Sequence, residues 1–519
     1  MKNYFWKQII ILISGCFCCI TAFPQITPEH LLQFISEEKY ASNAGVKDFY
    51  SRLHNKTAWI ETDNLYNRET FLNILKLSPG LGLLENDYPV QYIESINNGT
   101  LPLQNGIDSL EAEVRITEAA IHFYKDFTYG NTKPAFGYNE LKYQPDCRGI
   151  PALLAEYVSS NKLSLLLAEL SSSFPDVVIL EQKIKWMHNV MADSSFREVN
   201  ISSARVSWDN KPLVAKLFQL GIVVFYNVKI TDSLIKLKVK EAQRQFGLPA
   251  DGVLRTTSMQ QLNIPLSARM KQLSLSVNYY RWLYCLIQNQ PVIVVNIPAA
   301  YLKVYRNNKA ILEMRMIVGK QSTPTPTLAS TVREVILYPY WHVPLSIKTK
   351  ELLPAIKRNP GYIDAGNYQV LNSAGKIMDP YSINWNALSA NYFPYIIRQS
   401  TGCDNSLGLL KLNFYSPFGV YLHDTPRKSL FGMTRRFFSH GCMRMQKPMD
   451  LGHLVLKNNV KAIDTLEQKG CLRNQSPITV KVDEQIPVIV WYNPAGADST
   501  GRVLFFEDVY RKFDWMKRK

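Results

Sequence analysis

The stretch Tyr421–Met445, YLHDTPRKSLFGMTRRFFSHGCMRM, constrains this chain more than any other. It carries His423, His440 and Cys442, with Ser439 and Gly441 immediately around the second imidazole. A thiol is a strong nucleophile only as thiolate, so Cys442 needs a base or positive charge beside it. His423 and His440 are the candidate bases, and Arg435, Arg436 and Arg444 add positive charge. Gly441 frees the backbone for a tight turn, so that the Gly441 and Cys442 amides point at one oxyanion; each such donor is worth about 2.7–4 kcal/mol. Val420–His423 alternates like a strand end, and 426–436 reads as an exposed loop that brings His423 back over the cysteine turn.

His423, fifteen residues, then Ser439-His440-Gly441-Cys442-Met443-Arg444 closely resembles the L,D-transpeptidases of bacterial cell walls, with their YkuD catalytic domain. The flanks resemble the large periplasmic YcbB-like branch. They are Tyr421–Pro426, the run Tyr338–Pro344 with Trp341 and His342, and Arg398-Gln399 through Asn405–Gly408. The resemblance runs from about Gln272 to the C-terminus and is fainter before it.

The length of 519 residues allows two to four domains with cores of their own. The formal charge of +16 suits an anionic partner such as an acidic wall polymer or anionic lipid. Nucleic acid is not expected, because the charge is spread along the chain with no basic stripe interleaved with aromatics. Residues 1–25 read as an export signal: Lys2 and Lys7 precede the apolar run Ile9–Ala22, which is short for a membrane span. Three outcomes stay open: cleavage after Ala22, lipidation at Cys16, or an uncleaved N-terminal membrane anchor. All place the rest in the periplasm or envelope. Beyond that segment lie Cys147, Cys285, Cys403, Cys442 and Cys471, an odd number that leaves at least one thiol unpaired. Cys147 and Cys285 read as buried free thiols, and the pairing of Cys403 with Cys471 is not legible.

The expected fold is α+β and multidomain. Residues 26–207 are a helical scaffold, on the spacing of Ile116, Ala120, Phe123, Tyr124 and Phe127 and of Leu163, Leu166, Leu167 and Leu170. Residues 208–265 resemble a three-helix peptidoglycan-binding module. Val239, Ala242, Gln243 and Phe246 form one face before Gly247-Leu248-Pro249-Ala250-Asp251-Gly252, although Arg255 stands where that family favours glycine. Residues 266–290 form a connecting helix whose aromatics Tyr279, Tyr280 and Trp282 serve packing. Residues 291–472 are the β-rich catalytic domain, opened by Val292–Asn296, turned at Asn307-Asn308 and continued by Ile311–Val318. A polar, turn-rich insertion near 350–400 is a capping lid in the resembled branch. Leu451–Lys461 reads as a helix, and 473–519 supplies closing strands.

By the resemblance, Cys442 and His423 are catalytic, with Gly441, His440, Tyr421, Asp424 and Ser439 supporting the oxyanion or the base. Asp424 orients His423 through its carbonyl or its side chain. Tyr421, two residues from His423, faces the same side of a strand. Arg444 closes a salt bridge in the loop or binds a substrate carboxylate, and Trp341 and Asn405 bind substrate. The implied substrates are peptidoglycan stem peptides, joined by a 3→3 cross-link after loss of terminal D-alanine. Carbapenem acylation is expected, and no cofactor is implied. Three alternatives remain: an L,D-carboxypeptidase using the same site, a zinc site of His423, His440, Cys442 and His453, and a non-catalytic wall-binding protein. The zinc reading lacks the paired short spacings of compact sites.

Overall fold

The computed structural model describes residues 26–224, 229–473 and 475–513. The export-signal stretch 1–25 therefore lies outside the described residues, as do the last six positions. The chain combines a helical N-terminal region with a β-rich domain and divides into two compact units. One comprises Met1–Leu75, Tyr88–His122 and Ile150–Leu167; the other comprises Lys76–Asp87, Phe123–Gly149 and Ala168–Lys519.

The smaller unit is helical and organised around one buried carboxylate. Glu113 accepts from the amides of Ala58, Trp59 and Ile60 at 2.6, 3.0 and 3.0 Å and from Tyr50 Oη at 3.1 Å. Three consecutive amides of an irregular segment thus find their acceptor on a helix, where they would otherwise be unpaired. Burial pushes the Glu113 carboxyl up to about 7.

In the larger unit, helices Lys211–Gln219, Asp232–Gln245 and Thr256–Leu262 form the small module. Val239, Ala242 and Gln243 are buried on the inward face of its second helix. The Gln243 side chain ties down the loop that follows: its Oε1 accepts from Gly252 N at 2.8 Å and its Nε2 donates to Val253 O at 2.9 Å. Arg255 stands exposed in an ion pair with Asp251. The helix Leu266–Asn289 comes next, and Tyr280 packs edge-on against Trp491 at 5.3 Å.

Cys285, on that helix, is disulfide-bonded to Cys147, with the Cα atoms 5.7 Å apart. This corrects the expectation of two free thiols. Tyr143 lays the preceding segment along the helix by donating to Trp282 O at 2.8 Å and accepting from Leu286 N at 3.1 Å, which brings the sulfurs together. Cys403 and Cys471 form a second disulfide, leaving Cys442 as the free cysteine among the described residues.

The β-rich domain is a closed ring. Its strands run in the order Leu328–Leu337, Leu410–Phe414, Leu422–His423, Met443–Met445, Lys309–Gly319, Tyr301–Arg306, Val292–Asn296 and Ile478–Trp491, which pairs back to Leu328–Leu337. Closure leaves no free edge along that ring and fixes the register of its short members. Asn307 and Asn308, both at positive φ (48° and 59°), make the tight hairpin expected there. The interior is filled by alternating side chains of adjacent strands, among them Ile293, Val295, Leu302, Val304, Leu412 and Leu422.

The insertion has a core of its own, in which Val370 and Ile397, from a four-stranded sheet in the order Trp341–His342, Ile396–Gln399, Tyr368–Leu371 and Ile377–Met378, are buried with Ile356 and Ile363. The single helix expected over Leu451–Lys461 is two, Pro448–Val455 and Val460–Lys469. The break spans 456–459, where Asn458 Nδ2 donates to Asp483 Oδ2 at 3.1 Å.

Candidate active site

Three adjacent strands bring the sequence motif together. Lys411 lies opposite His423 in the antiparallel pair, and His423 lies opposite Arg444 in the parallel pair. Directly opposed residues share a face, so Lys411, His423 and Arg444 form a row. Tyr421, two residues before His423, accepts from Met443 N through its carbonyl at 3.0 Å, which fixes Cys442 beside it. Tyr421 turns its amide and hydroxyl toward the Cys442 sulfur, and its ring meets His423 edge-on at 5.6 Å. The Trp341 side chain in turn reaches the Tyr421 hydroxyl.

His423 is 4% exposed, and its Nδ1 donates to the Asp424 carbonyl at 2.5 Å. A carbonyl only accepts, so the proton sits on Nδ1 and Nε2 keeps its lone pair. Asp424 thus orients His423 through its backbone. Its carboxylate is occupied elsewhere, accepting from Leu409 N at 2.9 Å and pairing with Lys428. Burial, then Arg444 and Lys411, hold the His423 imidazole far below its usual range, at about 3. The Cys442 thiol is pushed up by burial, against pulls from Tyr421, Lys411 and Arg444. Both shifts favour the uncharged forms, a neutral imidazole and a neutral thiol.

The turn carrying the cysteine is stitched by short hydrogen bonds. Ser439 Oγ donates to Cys442 O at 2.6 Å and accepts from Gly441 N at 3.2 Å. Gly441 has φ +118°, a conformation that favours glycine. Thr325 Oγ1 donates to Gly441 O at 2.8 Å, joining the loop after Gly319 to the turn. The Gly441 amide is thus engaged by Ser439, whereas the Cys442 amide has no hydrogen-bond partner among the described residues. One of the two expected oxyanion donors is free in this state.

The remaining sequence-derived residues divide. Arg444 makes no ion pair among the described residues, and its Nε is buried without a partner, so the intraloop salt bridge is not formed. His440 meets Glu351 of the insertion at 2.8 Å. Asn405, assigned to substrate binding, is fully buried; Nδ2 donates to Pro339 O and Ser400 O, and Oδ1 accepts from Leu407 N. Its polar groups are spent on the backbone of Pro339 and of the loop 399–408, and it shapes that loop instead. The proposed four-donor zinc set is not assembled: His453 pairs with Asp464 at 3.0 Å, near Glu467, on exposed helices. Two residues escaped the sequence. Tyr510 donates to Gly319 O at 2.6 Å and accepts from Thr325 N at 3.2 Å, a contact across 191 residues that carries no local signal. Lys411, on the strand Leu410–Phe414, belongs to no motif singled out in the sequence.

Residues 290–462 match the L,D-transpeptidase catalytic domain (YkuD). Residues 44–177 match a family described as a scaffold domain. The YkuD-type match encloses the row, the cysteine turn and the insertion. A relative from Haemophilus influenzae, described as a putative L,D-transpeptidase, is 35% identical over 218 residues, covering 42% of this chain and 44% of that protein. The alignment thus spans less than half the length of the curated relative. Solved structures with similarity include an L,D-transpeptidase from Mycobacterium smegmatis (16% identity, 38% of this chain and 58% of that one, TM-score 0.18). Another is an L,D-transpeptidase from Stackebrandtia nassauensis (12% identity, 57% and 98%, TM-score 0.22).

Two expectations follow from the packing of the YkuD-type domain. At Gly408 (φ +62°) a Cβ would lie 2.3 Å from Asp424 Oδ2. Gly408→Ala should therefore cost about 2–3 kcal/mol in denaturant unfolding, because the clash combines with a strained φ. The His423 imidazole titrates near 6.5 in the unfolded chain and near 3 when folded. Above 6.5 neither state is charged. Below it the unfolded state binds a proton that the folded state refuses, so stability falls as pH drops from 6.5 toward 3. Thermal midpoints measured from about pH 7 to 4 should fall more steeply for wild type than for His423→Gln; parallel curves would contradict the assignment.

Proposed function

We propose that this protein is a cysteine-dependent L,D-transpeptidase that cleaves terminal D-alanine from a peptidoglycan tetrapeptide stem and transfers the remaining acyl group to an amine of another stem. The observation that carries the reading is Cys442 seated beside Tyr421, in a turn fixed by Ser439 and Thr325, next to the strand that holds a His423 whose Nε2 is unprotonated. His423 takes the thiol proton as sulfur attacks the stem carbonyl, and returns it to the departing amine of D-alanine. Proton transfer during attack suits a pair that is neutral at rest. The Cys442 amide receives the developing oxyanion, and release of the Gly441 amide from Ser439 would supply a second donor. Arg444, a cation without a carboxylate partner among the described residues, supports binding of a stem carboxylate. The thioester then passes to the acceptor amine, giving the 3→3 cross-link.

Such chemistry belongs outside the cytoplasm, in keeping with the export signal read from residues 1–25, and wall polymer suits the charge of +16. Imipenem, a carbapenem, is the matching covalent probe. The test is incubation with purified tetrapeptide muropeptides followed by mass spectrometry. Cross-linked dimers with release of D-alanine support the transferase. Tripeptide alone would reassign the site as a carboxypeptidase, and unchanged substrate would leave a wall-binding role.

A further inference from the structure

Lys411 is a charged residue in a row that has no carboxylate. It sits on the strand Leu410–Phe414, where Leu410, Leu412 and Phe414 are buried and Lys411 and Asn413 face the other side. Register places it directly across from His423. Its Nζ lies 4.0 Å from the centroid of the Tyr421 ring, the same ring that meets His423 edge-on. Among the described residues no carboxylate pairs with it. It lines a cleft of about 500 Å3 together with Arg333, Glu334, Asn413, Tyr415 and Tyr421.

Resting on the reading of Cys442 as the nucleophile, we propose that Lys411 is a positioning residue whose ammonium, held over Tyr421, stabilises the Cys442 thiolate as it forms. A half-buried ammonium with no carboxylate at ion-pair distance is costly to maintain, and it is compensated when a negative sulfur or oxyanion forms next to it. The electrostatics agree in direction at all three groups. Burial lowers the Lys411 pKa while Cys442 raises it; Lys411 lowers both the thiol and the His423 imidazole. The other charged or titratable groups facing this cluster are Arg444 and Tyr421 beside Cys442, and Glu334, from the strand Leu328–Leu337, and His342 beside Lys411. Glu334 is engaged by Asn413 Nδ2 at 2.7 Å, which holds its carboxylate on the neighbouring position rather than on the ammonium.

The test is the pH dependence of Cys442 alkylation by iodoacetamide, followed on the Cys442 peptide by mass spectrometry so that other thiols do not enter the readout. Lys411→Met keeps the aliphatic stem and removes the charge; Lys411→Arg keeps the charge. Loss of the ammonium should move the thiol midpoint up by about one pH unit, so that alkylation at a fixed pH below the midpoint slows about tenfold. Lys411→Arg should remain near wild type. A Lys411→Met profile that superimposes on wild type overturns the proposal, as does a Lys411→Arg profile displaced as far as that of Lys411→Met, which would indicate packing rather than charge. Imipenem treatment of wild type reports separately: absence of an adduct on Cys442 would remove the transpeptidase reading and leave the alkylation comparison intact as a test of the charge.

Discussion

Cys442→Ala should release no D-alanine from a tetrapeptide stem and form no cross-linked dimer, a loss of about ten-thousandfold or more. No other described cysteine can replace it, because Cys147 is tied to Cys285 and Cys403 to Cys471. The substitution should leave the fold intact. The turn is held by Ser439 and Thr325 through the backbone of Cys442 and Gly441, and alanine preserves those bonds. The imipenem adduct should vanish with the sulfur. Retained cross-linking in this variant, with an unchanged thermal midpoint, would mean that another group performs the chemistry.

His423→Gln should lower kcat/KM by about a thousandfold while leaving substrate binding nearly unchanged, since a general base acts on the transition state. Glutamine can donate to the Asp424 carbonyl as His423 Nδ1 does, and so keeps the local geometry. It has no lone pair able to accept the thiol proton at the same point. Alkylation of Cys442 separates two roles here. A base needed only during attack leaves the resting thiol little changed, whereas a stable imidazolium–thiolate pair would lose most of its reactivity with the imidazole. The low His423 pKa, set by burial and by Arg444, argues for the first.

The motif was legible because its chemistry is local: His423, Ser439, Gly441 and Cys442 announce themselves by type and spacing. The hairpin at Asn307-Asn308 was legible for the same reason, since asparagine tolerates positive φ. What failed depended on burial or on distant partners. Asn405 lies in a run that looks polar and accessible, yet it is fully enclosed and bonded to three backbone groups around its own loop. Cys147 and Cys285 are 138 residues apart, and only the lie of Tyr143 along the helix brings them together. Lys411 could be placed on a strand face from the alternation of its neighbours. Its position across from His423 is a register, and register is set by closure of the whole ring. His440 was expected to support the oxyanion or the base; its contact with Glu351 required knowing where the insertion folds back.

The central claim is that the Cys442 sulfur carries the acyl group between donor and acceptor. Wild-type protein should be mixed with tetrapeptide muropeptide, quenched in acid within seconds, digested and mapped by mass spectrometry. The account predicts a Cys442 peptide heavier by the stem acyl group lacking its terminal D-alanine, an adduct that disappears when an acceptor amine is added. Product formation with the Cys442 peptide unmodified at every time point, or an acyl group found on a different residue, would contradict it.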